Sequence, residues 1–278
     1  MKKLFVVTFA LFALVTFAAS PVMAGNAGLL LSPTRIVLED GSRFVTVTVR
    51  NTGDATGRYK IEVVDASMDE NGGIKIREDG SKEEFSAINI LSLSPSNMTL
   101  NADESQVVRL LVKNKDALPD GEYRSHLQVK MTESDLNPET NKPNEGTGIA
   151  IKSKITTVIP VIVRKGQTSF NVAINDAKLM SGGGDNKQAP EVKVGMSMSG
   201  NRSVLGDIKV THIATDGKET QLAFLQGIAI YRGVTKRNQN VSLTVPEGVN
   251  IRTGKLRVDF LSQENEGSHV LSEKEVAP

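Results

Sequence analysis

Gly146–Gly166 reads GTGIAIKSKITTVIPVIVRKG, an Ile/Val/Thr-rich run set between glycines. That composition predicts a long β-strand. Ile149, Ile151, Ile155, Ile159, Val161 and Val163 share one parity, so a pleated strand turns them to one face. Lys152, Lys154, Thr156 and Arg164 take the other face. Pro160 has no N–H to give to a ladder, which puts the strand at an edge or at a change of partner. Proteins ordinarily blunt a long apolar edge with charge or cover it. This one is left long and apolar, so it is expected to take a strand from outside.

The chain opens with Met1-Lys2-Lys3, an apolar run from Leu4 to Ala19, and Ser20-Pro21-Val22-Met23-Ala24. A basic start, a short apolar core and a small-residue end predict a secretory signal peptide over residues 1–24, cleaved before Gly25. The apolar run is short for a membrane span, and no later segment is long and apolar enough to be one. Without Lys2 and Lys3 the formal charge falls from +1 to −1, which gives no support for nucleic acid or an anionic membrane as partner. There is no cysteine, so thiol catalysis, zinc–thiolate sites and disulfides are all excluded. Tryptophan is absent too, and aromatic platforms for sugars or bases are not expected.

Working outward, turn signals punctuate a series of short strands. Gly28–Leu38 (GLLLSPTRIVL) reads as a strand broken near Pro33, and Arg43–Asn51 (RFVTVTVRN) alternates strictly. Tyr59–Val64 alternates again, and the polar stretch from Met68 to Glu84 reads as a surface hairpin or loop. An apolar segment with Pro95 inside it spans Ile88–Leu100, and Gln106–Val112 and Glu122–Met131 read as strands. Thr132–Gly148 is a polar loop leading into the opening stretch. After Gly166 the pattern restarts, with strands expected over Phe170–Leu179, Val192–Met198, Gly206–His212, Gln221–Tyr231, Val241–Val245 and Lys255–Leu261. Short strands at regular spacing predict an all-β chain of two sandwiches, residues 25–165 and 166–278.

Four pieces of the first half resemble the periplasmic pilus (chaperone–usher) assembly chaperones, the PapD-like family. Ser32-Pro33-Thr34-Arg35-Ile36 stands at the place of the family's first-strand arginine. Phe44–Asn51 is similar to its alternating second strand ending in Asn, Leu93–Val112 to the segment ending in a VVRL-like strand, and Ile149–Arg164 to its last first-domain strand. Gly254–Val258 and Val270–Glu273 resemble the closing strands of the second domain. The resemblance implies two immunoglobulin-like β-sandwich domains in an L or boomerang arrangement. It also implies a non-enzymatic periplasmic protein that needs no cofactor, binds pilus or fimbrial subunits and delivers them to an outer-membrane usher.

In that family the exposed strand completes an unfinished subunit by strand addition. The resemblance assigns the donor role to Ile149, Ile151 and Ile155, with Ser153 breaking the row. It also implies a cleft arginine and lysine on the subunit's C-terminal carboxylate, since a carboxylate calls for charge-assisted donors. Arg35 takes the arginine's place. Thr156 stands where the lysine falls, with Lys154 two residues earlier on the same face as the best substitute and Lys152 as a weaker one.

Other constellations are plain. His126, His212 and His269 are scattered, and Asp69–Gly73 and Gly183–Asn186 lack the full ligand spacing of a calcium loop, so no metal site is expected. No Ser/His/Asp order builds a hydrolase. The competing reading is an exported structural or adhesive β-sandwich protein that uses the apolar strand for self-association.

Overall fold

A computed structural model describes residues 28–79, 81–134, 154–180, 189–263 and 269–277. The first domain is a two-layer sandwich. One layer carries β1 (Leu29–Ser32), β3 (Phe44–Asn51), β9 (Ser105–Val112) and β7 (Leu91–Ser94) in the order β1-β3-β9-β7. The other carries β2 (Ile36–Leu38), β11 (Thr156–Lys165), β10 (Gly121–Ser134), β4 (Gly57–Val64) and β8 (Asn97–Leu100) in the order β2-β11-β10-β4-β8. A small hairpin, β5 (Ala66–Met68) with β6 (Ile74–Ile76), stands apart from both. Alternation decides which side chains meet between the layers: Val47, Val49, Ile61, Val108, Leu110, Leu127, Val129, Val161 and Val163 are fully buried in one cluster.

Prolines mark where the chain changes layers. Leu29–Leu38 is two strands in different sheets, with Pro33 between them, and the expected apolar segment Ile88–Leu100 likewise divides at Pro95 into β7 and β8. Proline has no N–H for a ladder, so a strand interrupted there can change partners without leaving a donor unpaired. Asn51 fixes the end of β3. Its Nδ2 donates to the carbonyls of Ala55, Leu100 and Asn101 at 2.7, 3.1 and 3.0 Å, and its Oδ1 accepts from Gly53 N–H at 3.0 Å.

The second domain packs β12 (Phe170–Met180), β13 (Glu191–Gly200) and β16 (Lys236–Ser242) against β15 (Glu219–Ile230), β14 (Val204–Ile213), β17 (Lys255–Ser262) and β18 (Val270–Val276). Its core of Val192, Val194, Ile208, Val210, Ile230, Val258 and Phe260 shares no residue with the first. The strand expected at Val241–Val245 sits earlier, at Lys236–Ser242, on the rim of its sheet. A rim strand presents one ladder edge and one face to water, so the polar run KRNQN suits it.

Candidate functional site

The site grows from β11 and its two neighbours. Antiparallel pairing sets Arg164 opposite Glu122, Ile162 opposite Arg124, Pro160 opposite His126 and Thr156 opposite Lys130. On the far side β2 runs parallel to β11, but only from Ile36 beside Val161 to Leu38 beside Val163. Continuing that register one step back brings Arg35 alongside Pro160. Among the described residues, Thr156–Pro160 therefore has β10 on one edge and no ladder partner on the other. Arg35 stands where the open edge begins.

The face of this sheet that turns away from the first core carries charge among its apolar residues. Glu122 is fully buried and Arg164 nearly so, joined Nε to Oε2 at 3.2 Å, while Arg164 Nη1 reaches Glu39 Oε1 at 2.7 Å. Removing one partner of such a buried pair typically costs about 3–5 kcal/mol. Burial on both faces has its cause in the second domain. Glu122 N–H donates to Asn201 O at 2.9 Å, and Arg232 Nη1 donates to Glu122 O at 2.8 Å. The Arg232 guanidinium lies 3.5 Å from the Phe85 ring centroid. Gly121 sits at φ +142°, a backbone conformation strained for any residue with a side chain, so glycine is favoured here.

Tyr231 closes the middle of this face and is itself 5% exposed. The Arg124 guanidinium packs 3.9 Å from its ring centroid, and the His126 ring meets it edge-on at 6.2 Å. Arg124 Nη2 donates to Ala66 O at 3.2 Å, leaving its buried Nε without a partner. His126 is 2% exposed, and neither ring nitrogen has a hydrogen-bond partner. Burial, reinforced by the Arg124 charge, pushes its pKa down to about 4, so the imidazole is neutral at neutral pH. Behind it, Asp65 accepts from Ser125 Oγ at 2.6 Å, Ser86 Oγ at 2.9 Å and Glu83 N–H at 3.1 Å, which pins the loop carrying Phe85.

Arg35 is half-buried, and its buried Nη2 makes no hydrogen bond. Desolvation lowers its pKa, against the favourable influence of Tyr231 and Glu122, but a guanidinium remains charged. Burial raises the pKa of Tyr231, which stays a neutral O–H. A cavity of about 10 Å³ lined by Glu83, Phe85, Glu122, Arg124 and Arg232 holds at most one water.

The structure does not bring Arg35 and Lys154 together. Lys154 is exposed and lies six residues up the strand from Pro160, about 20 Å at ~3.3 Å per residue. Ile155 is half-buried, and its carbonyl accepts from Met131 N–H at 2.9 Å. Ile149, Ile151 and Lys152 lie outside the described residues. Asp69 turns out to be spent on its own turn, accepting from Asn71 N–H at 2.8 Å and Gly73 N–H at 2.9 Å. That hairpin also touches the second domain, where Asn238 N–H donates to Glu70 O at 2.6 Å. Among the described residues, no group of three or more His, Asp or Glu side chains could hold a metal ion, and no helix is long and apolar enough to cross a membrane.

Sequence reasoning set His126 aside as a lone histidine and missed Tyr231 altogether. The available signal was the alternation Glu122, Arg124, His126 along a strand whose other parity carries Tyr123, Leu127 and Val129. A face that is ionic while its opposite face is core is either solvated or covered by another element. Here it is covered.

Comparison with known proteins bears on the first domain most strongly. No curated protein matches the chain. Among solved structures it is similar to the E. coli chaperone DraB, at 15% identity over 91% of this chain and 97% of that one, with a TM-score of 0.44. It is similar to Salmonella enterica SafA pilin in complex with the SafB chaperone, at 14% identity over 92% and 98%, TM-score 0.43. A third, the CsuC–CsuE chaperone–tip adhesion subunit pre-assembly complex of Acinetobacter baumannii, matches at 12% identity over 90% and 99%, TM-score 0.45. Residues 28–164 match the family model described as the pili and flagellar-assembly chaperone, PapD N-terminal domain, so the first domain is a member of that family.

Proposed function

We propose that this protein is a periplasmic chaperone that binds a pilus or fimbrial subunit by donating a strand to it, anchors its C-terminal carboxylate, and passes it to an outer-membrane usher. The observation that carries this reading is the open edge of β11 from Thr156 to Pro160, ending at Arg35. A strand laid on that edge occupies the slot that β2 fills farther along. If it runs parallel to β11, as β2 does, its C-terminus arrives at Arg35. If it runs antiparallel, its N-terminal ammonium arrives there instead, against a guanidinium. Charge therefore selects the parallel arrangement.

The donor side chains on this reading are Ile149, Ile151 and Ile155, continuous with the open edge and of the right parity to enter a subunit's groove. Each such side chain that leaves water contributes about 1.5–3 kcal/mol. The backbone ladder sets register more than net energy. Nothing in this mechanism involves making or breaking a covalent bond.

Co-expression with a candidate pilus subunit tests the reading. A 1:1 complex is expected, with its yield falling at least tenfold in Arg35→Ala and in Ile151→Asp. An undiminished complex in both variants refutes the mechanism. Filaments of the chaperone alone would replace it with the self-associating, structural reading.

A further inference from the structure

Arg35 supplies one donor group to a carboxylate, and the described residues offer no lysine beside it. Lys154 is too far along the strand, and Lys165 Nζ is engaged by the carbonyls of Asp116 and Leu118. A polar group of suitable chemistry comes from the other domain. Tyr231 lies over the row that runs from Arg35 across Pro160 to His126, held there by the Arg124 guanidinium against its ring and by the edge of the His126 ring. Arg35 and Tyr231 act on one another electrostatically, each favouring the charged form of the other. The buried Nη2 of Arg35 has no hydrogen-bond partner among the described residues. A guanidinium donor with no acceptor, next to a phenol that remains protonated, is complementary to an anion that accepts from both.

We propose that the C-terminal carboxylate of a bound polypeptide is held between Arg35 of the first domain and the Tyr231 hydroxyl of the second. This rests on the subunit-anchor reading above and deepens it. The second donor, expected from a lysine on the same strand as the donor isoleucines, comes across the domain junction from a neutral phenol. Engagement of the chain terminus then depends on the second domain being seated, which Glu122, Arg232 and Asn201 secure. Neutral O–H donation also spares the cleft a further positive charge beside Arg35, Arg124 and Arg164.

The test uses the whole purified chain and a synthetic N-acetylated octapeptide of alternating valine and threonine. The peptide is prepared once with a free C-terminal carboxylate and once as the amide, and both are titrated calorimetrically. Wild type is expected to prefer the acid by on the order of 100-fold, since hydrogen bonds to a charged group are the strong ones. Arg35→Ala abolishes that preference. Tyr231→Phe keeps the ring, its contact with Arg124 and an unchanged melting temperature, yet reduces the preference about tenfold. A full preference retained in Tyr231→Phe and lost in Arg35→Ala overturns the role of Tyr231 while leaving the anchor in place. Equal binding of acid and amide by wild type overturns the anchor itself. An amidated peptide with an added glutamate that binds as well as the acid overturns the assignment to a chain terminus.

Discussion

The two halves of β11 have the same kind of sequence and opposite fates. From Val161 to Val163 the strand has β2 on one edge, β10 on the other, the first core beneath and Tyr231's domain above, and these residues and Arg164 are all buried. From Thr156 to Pro160 its only ladder partner among the described residues is β10, and its outward residues run from exposed Thr156 to half-buried Val158. Ile, Val and Thr in alternation specify a strand in both halves. What separates them is which neighbours stop and where. β2 begins at Ile36, one row past Pro160 and His126, where the Tyr231 ring of the second domain meets the sheet. An open edge is thus made here by truncating its neighbour, and Arg35 sits at the truncation.

The contrast can be broken or sharpened by substitution. Ile162, fully buried on the face under the second domain, is expected to cost about 3 kcal/mol as Ile162→Ala, read from urea unfolding. A cost below about 1 kcal/mol would mean that the covered half is not packed as described. The next largest effect is acid sensitivity through His126. Its folded pKa of about 4 lies below its ordinary value of 6.5, so the neutral form is the one the fold favours. The resulting stability is fully present above pH 6.5 and is lost as the pH falls towards 4, amounting to about 2–3 kcal/mol by pH 4.5. Unfolding midpoints at pH 7 and 4.5 should diverge in wild type and converge in His126→Gln. An equal pH dependence in both proteins contradicts the buried, neutral assignment. Smallest is Ile155→Ala, half-buried at the open end, which should change the stability of the free chain by less than about 1 kcal/mol. The same substitution should weaken the subunit complex at least tenfold, and a reversed ranking of Ile162 and Ile155 would invert the comparison.

Much of this architecture can be read from residues alone. Val45, Val47 and Val49 against Thr46, Thr48 and Arg50 define β3, and the break at Pro33 is legible because proline ends a ladder. The open edge is implied by an apolar run beside a proline. Other features resist such reading because their cause lies elsewhere in the chain. KRNQN forms a strand at the rim of its sheet because β13 supplies its ladder, not because its own pattern demands one. Glu122, Arg124 and His126 would make an ordinary solvated face without Tyr231 and Arg232, and only tertiary packing turns them into a buried cleft. Lys154 shares a face with the cleft residues, as parity requires, but parity says nothing about distance along a strand.

Amide hydrogen exchange across β11, in the free chain and in the subunit complex, tests the open edge most directly. The account predicts that protection at Val161–Arg164 is high in both states, while amides of Thr156–Val158 that face away from β10 gain at least tenfold protection on binding. A stable complex in which those amides exchange as fast as in the free chain would contradict it.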